Sequence, residues 1–176
     1  KKYLFSFTLS ACLIIASHAG VLTVNNTPNG PGQYTSLQTA IDSANVGDSL
    51  YVHGSGTSYG NVNLKKRLML FGTGHNPNKT NNQVSEIGVI QLDTLSGVSG
   101  ASGTRIIGFK LNRVSGYAGG GGTKNIYIRR NYFVSGGTKV AITGSGWTIE
   151  NNVILSSNVI VNSHSSVTIR NNIFSG

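Results

Sequence analysis

The sequence predicts an all-β protein: a right-handed parallel β-helix, or solenoid, with an N-terminal capping α-helix and an incomplete C-terminal end. Three observations predict this fold: the composition, a repeat of about 20 residues and one amphipathic helical stretch. Of the 176 residues, 24 are glycine and only 11% are charged. Such a chain, rich also in Asn and Ser with β-branched residues between, favours short strands joined by tight turns. This composition excludes a helical bundle.

Residues 1–19 are predicted to be a secretory signal peptide. Lys1 and Lys2 give the positive start, 3–16 is an apolar run, and small residues precede a cleavage after Ala19. The run is too short for a transmembrane span, which needs about 20 residues. The protein is therefore expected to be secreted, extracellular or at the cell surface. Because Cys12 follows a lipobox-like Leu-Ser-Ala, a bacterial outer-surface lipoprotein is the alternative.

A capping helix is predicted over 34–47, after an extended segment over 20–33. One apolar stripe at helical spacing is made by Leu37, Ala40, Ile41 and Ala44. Thr35 or Ser36 can cap the start of the helix, and Gly47 is a natural stop. An open β-helix end exposes unpaired strand edges and an apolar cross-section, so this helix is placed to serve as its lid.

The coils are predicted over 48–176 and repeat most clearly in the second half. Three segments align at spacings of 21 and 20 residues: 126–131, 147–152 and 167–172. Each has apolar residues two apart and ends on asparagine. A fainter copy is read at 89–92, one period after 68–71. Because a period of this length holds about three short strands, it makes one coil, and successive coils stack about 4.8 Å apart.

Alternation along each strand assigns the two faces of the coil. The inward side chains are expected to be Ile126, Ile128, Trp147, Ile149, Val167 and Ile169. At the turn that follows, a structural ladder is expected from Asn131, Asn152 and Asn172. In such a ladder each side-chain amide bonds the next, which ties one coil to its neighbour.

A candidate saccharide-contact strip is formed by Tyr127, Arg129, Arg130, Glu150 and Arg170. Arg129, Glu150 and Arg170 are expected to alternate plus, minus, plus on three adjoining coils. One interpretation is a surface charge ladder, in which each pair contributes about 0–1 kcal/mol. The other is a contact surface on which Tyr127 stacks against sugars while the arginines hold carboxylates bidentately.

The stretch 34–48, followed by 50–52 and 59–74, resembles the opening of right-handed parallel β-helix proteins of the pectin-lyase-like superfamily. The pectin methylesterases in particular begin this way, and with the Asn-rich coils the resemblance covers 34–176. The resemblance implies a secreted or cell-surface protein that meets polysaccharide. The same opening precedes lyases, hydrolases, esterases and proteins without known catalysis. The Lys-Lys start and the absence of cysteine after the signal suggest a bacterial origin.

The sequence predicts no catalytic residue, no metal ligand set and no cofactor in this segment. Glycoside hydrolysis needs two carboxylates roughly 5–10 Å apart, and the acidic residues are scattered: Asp42, Asp48, Glu86, Asp93 and Glu150. Calcium-assisted lyase chemistry needs several oxygen ligands around one ion. Ca²⁺ is therefore expected only if later coils supply carboxylates.

The net charge of +9 favours anionic partners. The expected function is binding of an acidic or neutral polysaccharide, with no specific nucleic acid partner. The alternative is the N-terminal part of a carbohydrate-active enzyme of the pectate or pectin lyase, polygalacturonase or pectin methylesterase type, with its catalytic coils beyond residue 176. Because the last coil lacks a cap, end-to-end self-association through that coil is expected as well.

Overall fold

The computed structural model describes residues 19–74, 83–93, 100–116, 122–134, 137–155, 158–161 and 166–175. The predicted signal peptide, apart from its last residue, lies outside the described residues, as does Cys12. Within these ranges one helix and fifteen strands form, and every strand pairs in parallel with its neighbours. No helix in the described part of the chain is long and apolar enough to cross a membrane. The predicted all-β solenoid with one short helix is confirmed.

In chain order, the elements up to residue 116 are β1 (Val21–Val24), α1 (Leu37–Ser43), β2 (Ser49–Val52), β3 (Val62–Leu64), β4 (Met69–Phe71), β5 (Glu86–Leu92), β6 (Arg105–Ile107) and β7 (Lys110–Gly116). They are followed by β8 (Tyr127–Arg129), β9 (Tyr132–Phe133), β10 (Val140–Ile142), β11 (Thr148–Glu150), β12 (Val153–Leu155), β13 (Val159–Val161), β14 (Thr168–Arg170) and β15 (Ile173–Ser175).

Seven strands form one flat face of the solenoid, here called sheet A, in the order β1-β2-β4-β6-β8-β11-β14. Its inward column runs Leu22, Leu50, Leu70, Ile106, Ile128, Ile149, Ile169. The predicted stacking of Ile128, Ile149 and Ile169 is thus confirmed. Full burial of an aliphatic side chain contributes about 1.5–3 kcal/mol, so this column is a main source of stability.

The second sheet, here called sheet B, follows the order β13-β10-β7-β9-β12-β15, with β3 and β5 joined through β7. Strand β7 is long: its first residues pair with β9, and its later residues pair with β10. In the coils after β7, two short strands replace one long strand, because a bend divides them. Each later coil therefore contributes one strand to sheet A and two to sheet B.

The helix closes the N-terminal end, as predicted, but it is shorter than 34–47. The Ser36 hydroxyl accepts a hydrogen bond from the Thr39 N–H at 3.3 Å, and so it is Ser36 that caps the first turn. The helix ends at Ala44, whose backbone is extended, because the Lys66 ammonium takes over the terminal carbonyls. Gly47, at φ +93°, lies in the following turn instead of terminating the helix.

The early coils depart from the predicted spacing. The segment 89–92 does not follow 68–71 in the same sheet, as the period predicted. It belongs to β5, where Ile90 pairs with Val62 of β3. The partner of Leu70 is instead Ile106. Long excursions after β4 and β5 break the period, because a loop outside the coil can have any length without disturbing the stacked strands.

The last described coil exposes apolar side chains that earlier coils bury. Ile149 is fully buried, whereas Ile169 is 42% exposed although it continues the same column. On sheet B, the exposed apolar residues of this end are Ile160, Val161, Ile173 and Phe174. No strand of the described residues pairs with the outer edges of β13, β14 and β15. Self-association through this coil stays a prediction.

Candidate functional site

The outer face of sheet A carries two columns of side chains, which run along the solenoid axis. The first column is Val21, Ser49, Met69, Arg105, Tyr127, Thr148, Thr168. The second column is Thr23, Tyr51, Phe71, Ile107, Arg129, Glu150, Arg170. The N-terminal half of this face is therefore aromatic and aliphatic, and the C-terminal half is charged.

Glu150 is the centre of the charged half. Its Oε2 accepts the Arg170 Nε at 2.6 Å and faces the Arg170 Nη2 at the same distance. Its Oε1 accepts the Tyr127 hydroxyl and lies 3.4 Å from the Arg129 Nε. Although Glu150 points outward, only 4% of it is exposed, because these longer side chains cover it.

The same contacts shift two pKa values. The hydrogen bond from Tyr127 and the bond from Arg170 lower the pKa of the Glu150 carboxyl below its usual value, and they outweigh the opposing effect of burial. The hydrogen bond to Glu150 is also the main reason that the pKa of Tyr127 is raised. Glu150 is therefore charged and Tyr127 neutral over the whole physiological pH range.

Arg105 joins this group from the first column. Its guanidinium carbon lies 5.8 Å from the centre of the Tyr127 ring, within the range of a cation–π contact. Arg105, Tyr127 and Arg129 line a shallow depression of about 520 Å³ on the outer face of sheet A. Together, Arg105, Tyr127, Arg129, Glu150 and Arg170 are here called the arginine cluster. It holds three guanidinium groups and one carboxylate.

Arg130 is not part of the cluster, although the candidate strip included it. It lies in the turn between β8 and β9 at φ +54°, where its side chain is exposed and faces a separate depression of about 240 Å³. Equivalent turns in neighbouring coils hold Gly108, Asn151 and Asn171, all with positive φ. Left-handed backbone favours glycine and asparagine, so arginine is the least suited of the four residues.

Replacing Arg130 by asparagine is expected to stabilise the fold by about 0.5–1 kcal/mol, because asparagine tolerates the left-handed backbone better. Asn151 and Asn171 show that the turn accepts this residue. The measurement is the urea midpoint of the R130N variant against that of the wild type. An unchanged or lower midpoint would contradict the assignment of backbone strain to this turn.

The three turn asparagines lie in one hydrogen-bonded column. Asn152 Oδ1 accepts the Asn131 N–H at 2.9 Å and its side-chain amide at 3.2 Å. Asn172 Oδ1 does the same for Asn152, at 2.9 Å in both cases. Each side-chain amide also donates to a carbonyl of sheet A, such as that of Ile128. Asn131 and Asn152 are buried inside the coil, so this column contacts no ligand at the surface.

Sequence reasoning missed Arg105 and the pair Tyr51–Phe71. The two rings stack at 5.0 Å between centroids, with 17° between their planes. Stacked rings on adjoining strands turn their faces toward each other and their edges toward solvent. The signal for this pair was present, because Tyr51 and Phe71 are 20 positions apart. Arg105 was hidden because the long excursion after β4 removed the period that would have aligned it.

Most of the other carboxylates serve the scaffold. Asp48 accepts the backbone N–H groups of Gly20 and Asn45. Glu86 pairs with Lys110 at 2.7 Å, and Asp42 accepts a hydrogen bond from a glutamine one helical turn away. Among the residues that the structure describes, no three His, Cys, Asp or Glu side chains come together to hold a metal ion.

No protein-family model, no curated protein and no solved structure matches this chain. Function must therefore be argued from the arginine cluster and from the charge of the chain. The cluster keeps a rigid set of guanidinium groups at the surface, and such groups bind carboxylates and sulfates.

Proposed function

We propose that this protein binds an acidic polysaccharide on the outer face of sheet A, through the arginine cluster. The observation that carries the proposal is the exposure of the three arginines around a covered carboxylate. Arg105 is exposed, and the side chains of Arg129 and Arg170 are 36% and 61% exposed. The scaffold supporting them is a parallel β-helix.

Guanidinium chemistry favours an acidic ligand. A guanidinium has five N–H donors in a fixed fork, and it accepts a carboxylate on two of them. Arg170 directs its Nε and one Nη toward Glu150, so its remaining N–H groups can serve a ligand. Because Glu150 and Tyr127 hold Arg129 and Arg170 in place, binding costs less side-chain entropy than it would with free arginines.

Neutral polysaccharide is the less suited of the two expected partners. Neutral sugars bind largely by packing on exposed aromatic faces, and on this surface those faces are in use. Arg105 lies over the Tyr127 ring, and Tyr51 and Phe71 stack on each other. The stacking role expected for Tyr127 is thus less favoured than a role in orienting Glu150.

An extracellular location fits this ligand. The predicted signal peptide and the resemblance to the pectin-lyase-like superfamily both support a secreted or cell-surface protein that meets polysaccharide. The net charge of +9 supports attraction to a polyanion at a distance. We include this location and this superfamily in the proposal.

The test is binding to polygalacturonate by the double variant Arg105→Gln, Arg129→Gln. The wild type should bind with an affinity that falls as salt rises, because the contacts are ionic. Loss of two charge-assisted contacts is expected to weaken binding by about 10- to 100-fold. Isothermal titration at low and physiological salt gives both quantities.

The matched control is Lys65→Gln with Arg113→Gln. Both residues are exposed and lie off the outer face of sheet A, and the control removes the same net charge. Equal losses in the two double variants would show that only overall charge matters, which would overturn the proposed site. Release of unsaturated uronate products or of methanol during the titration would instead favour the enzymatic alternative.

A further inference from the structure

The charges of the arginine cluster are arranged by coil. Arg129 lies on β8, Glu150 on β11 and Arg170 on β14, in one column. Arg105 starts on β6, but its guanidinium leans over the Tyr127 ring and therefore joins the rung of β8. Along the axis the surface thus presents cations at β8, none at β11 and a cation at β14.

The middle rung offers a ligand anion nothing. Its outward side chains are Thr148 and Glu150, and the carboxylate is covered by the residues that hold it. An anionic group above this rung would face a carboxylate of its own sign with no free cation beside it. A neutral, hydroxyl-bearing unit can lie there, because the Thr148 hydroxyl is half-buried and both donates and accepts hydrogen bonds.

The distance between the cationic rungs sets a length. Two inter-strand steps of about 4.8 Å separate β8 from β14, which is close to the length of a disaccharide unit. A chain that runs along the solenoid axis would then place every second sugar over a cationic rung. The sugar between them would lie over Thr148 and Glu150.

We propose that the ligand is an acidic polysaccharide in which anionic and neutral sugars alternate, bound along the axis of sheet A. The inference rests on the proposed function and narrows its ligand class. Glu150 acts as the discriminating group: it positions two arginines and disfavours a carboxylate at the rung between them. A polyuronate with an anion on every sugar is expected to bind less tightly for each uronate it carries.

The experiment compares three polymers of matched length at one salt concentration: hyaluronan, whose uronate alternates with a neutral sugar, polygalacturonate and neutral dextran. Hyaluronan should bind at least about threefold more tightly per uronate than polygalacturonate, and dextran should not bind. If neither acidic polymer binds, the proposed function itself fails. If both bind and polygalacturonate binds as tightly or more tightly, only the alternating specificity is overturned.

Two variants test the assigned cause. Glu150→Gln keeps an oxygen for the Tyr127 hydroxyl but removes the negative charge, so the preference for hyaluronan should fall roughly threefold. Arg170→Gln removes the second cationic rung, so hyaluronan affinity should fall more than polygalacturonate affinity, while Lys65→Gln changes both equally. A preference that survives in both variants would overturn the inference. R170Q keeps the test decisive should E150Q fail to fold.

Discussion

Replacing Asn152 by alanine is expected to lower the free energy of unfolding by about 4 kcal/mol, because it leaves buried polar groups without partners. In the wild type, Asn152 Oδ1 accepts the backbone N–H of Asn131, and its amide donates to the carbonyl of Ile128 at 3.1 Å. Both partners lie inside the coil, where Asn152 is 1% exposed. Each unsatisfied buried group costs about 1–3 kcal/mol. Urea unfolding followed by circular dichroism measures the loss.

The matched control is Asn172→Ala at the end of the same column. Asn172 makes equivalent bonds to Asn152 and to the carbonyl of Ile149, but it lies on the last described coil and is only partly buried. Water can reach the groups that it would leave, so the expected loss is about 1–2 kcal/mol. Equal losses in the two variants would contradict the view that burial, and not the bond count, sets the value of each asparagine.

The register of the late coils could be predicted from the sequence because two constraints coincide there. Ile128, Ile149 and Ile169 must all face inward, and a shift by one residue would turn each of them outward. The asparagine that follows each strand fixes the same alignment a second time. With both signals at spacings of 20 and 21 residues, the stacking and the two outward columns followed.

The early coils and the covering of Glu150 could not be predicted in this way. Loops outside the coil carry no periodic signal, so the pairing of Leu70 with Ile106 left no trace at a fixed spacing. Alternation assigned Glu150 correctly to the outer side, yet its burial depends on how the flexible chains of Tyr127 and Arg170 fold over it. Such contacts arise from tertiary packing and not from local pattern.

Replacing Gly122 by alanine is expected to destabilise the fold by about 4 kcal/mol or more, because the added Cβ would overlap the carbonyl oxygen of Thr143. Gly144 on the next coil is equally confined, by the carbonyl of Thr123. At this corner, two backbones from successive coils touch with no side chain between them. Moving them apart would strain the hydrogen bond at 2.8 Å from the Trp147 indole to the Thr123 carbonyl.

Gly60→Ala separates this contact from backbone strain. Gly60 has φ +76°, close to the +71° of Gly122, but its Cβ would meet nothing within 4 Å. Alanine at Gly60 should therefore cost only the left-handed backbone strain, about 1 kcal/mol. The difference between the two variants in urea unfolding gives the cost of the close approach alone. A Gly122→Ala protein as stable as Gly60→Ala would mean that the coils at this corner lie farther apart, and that Trp147 is held by packing without the close backbone contact.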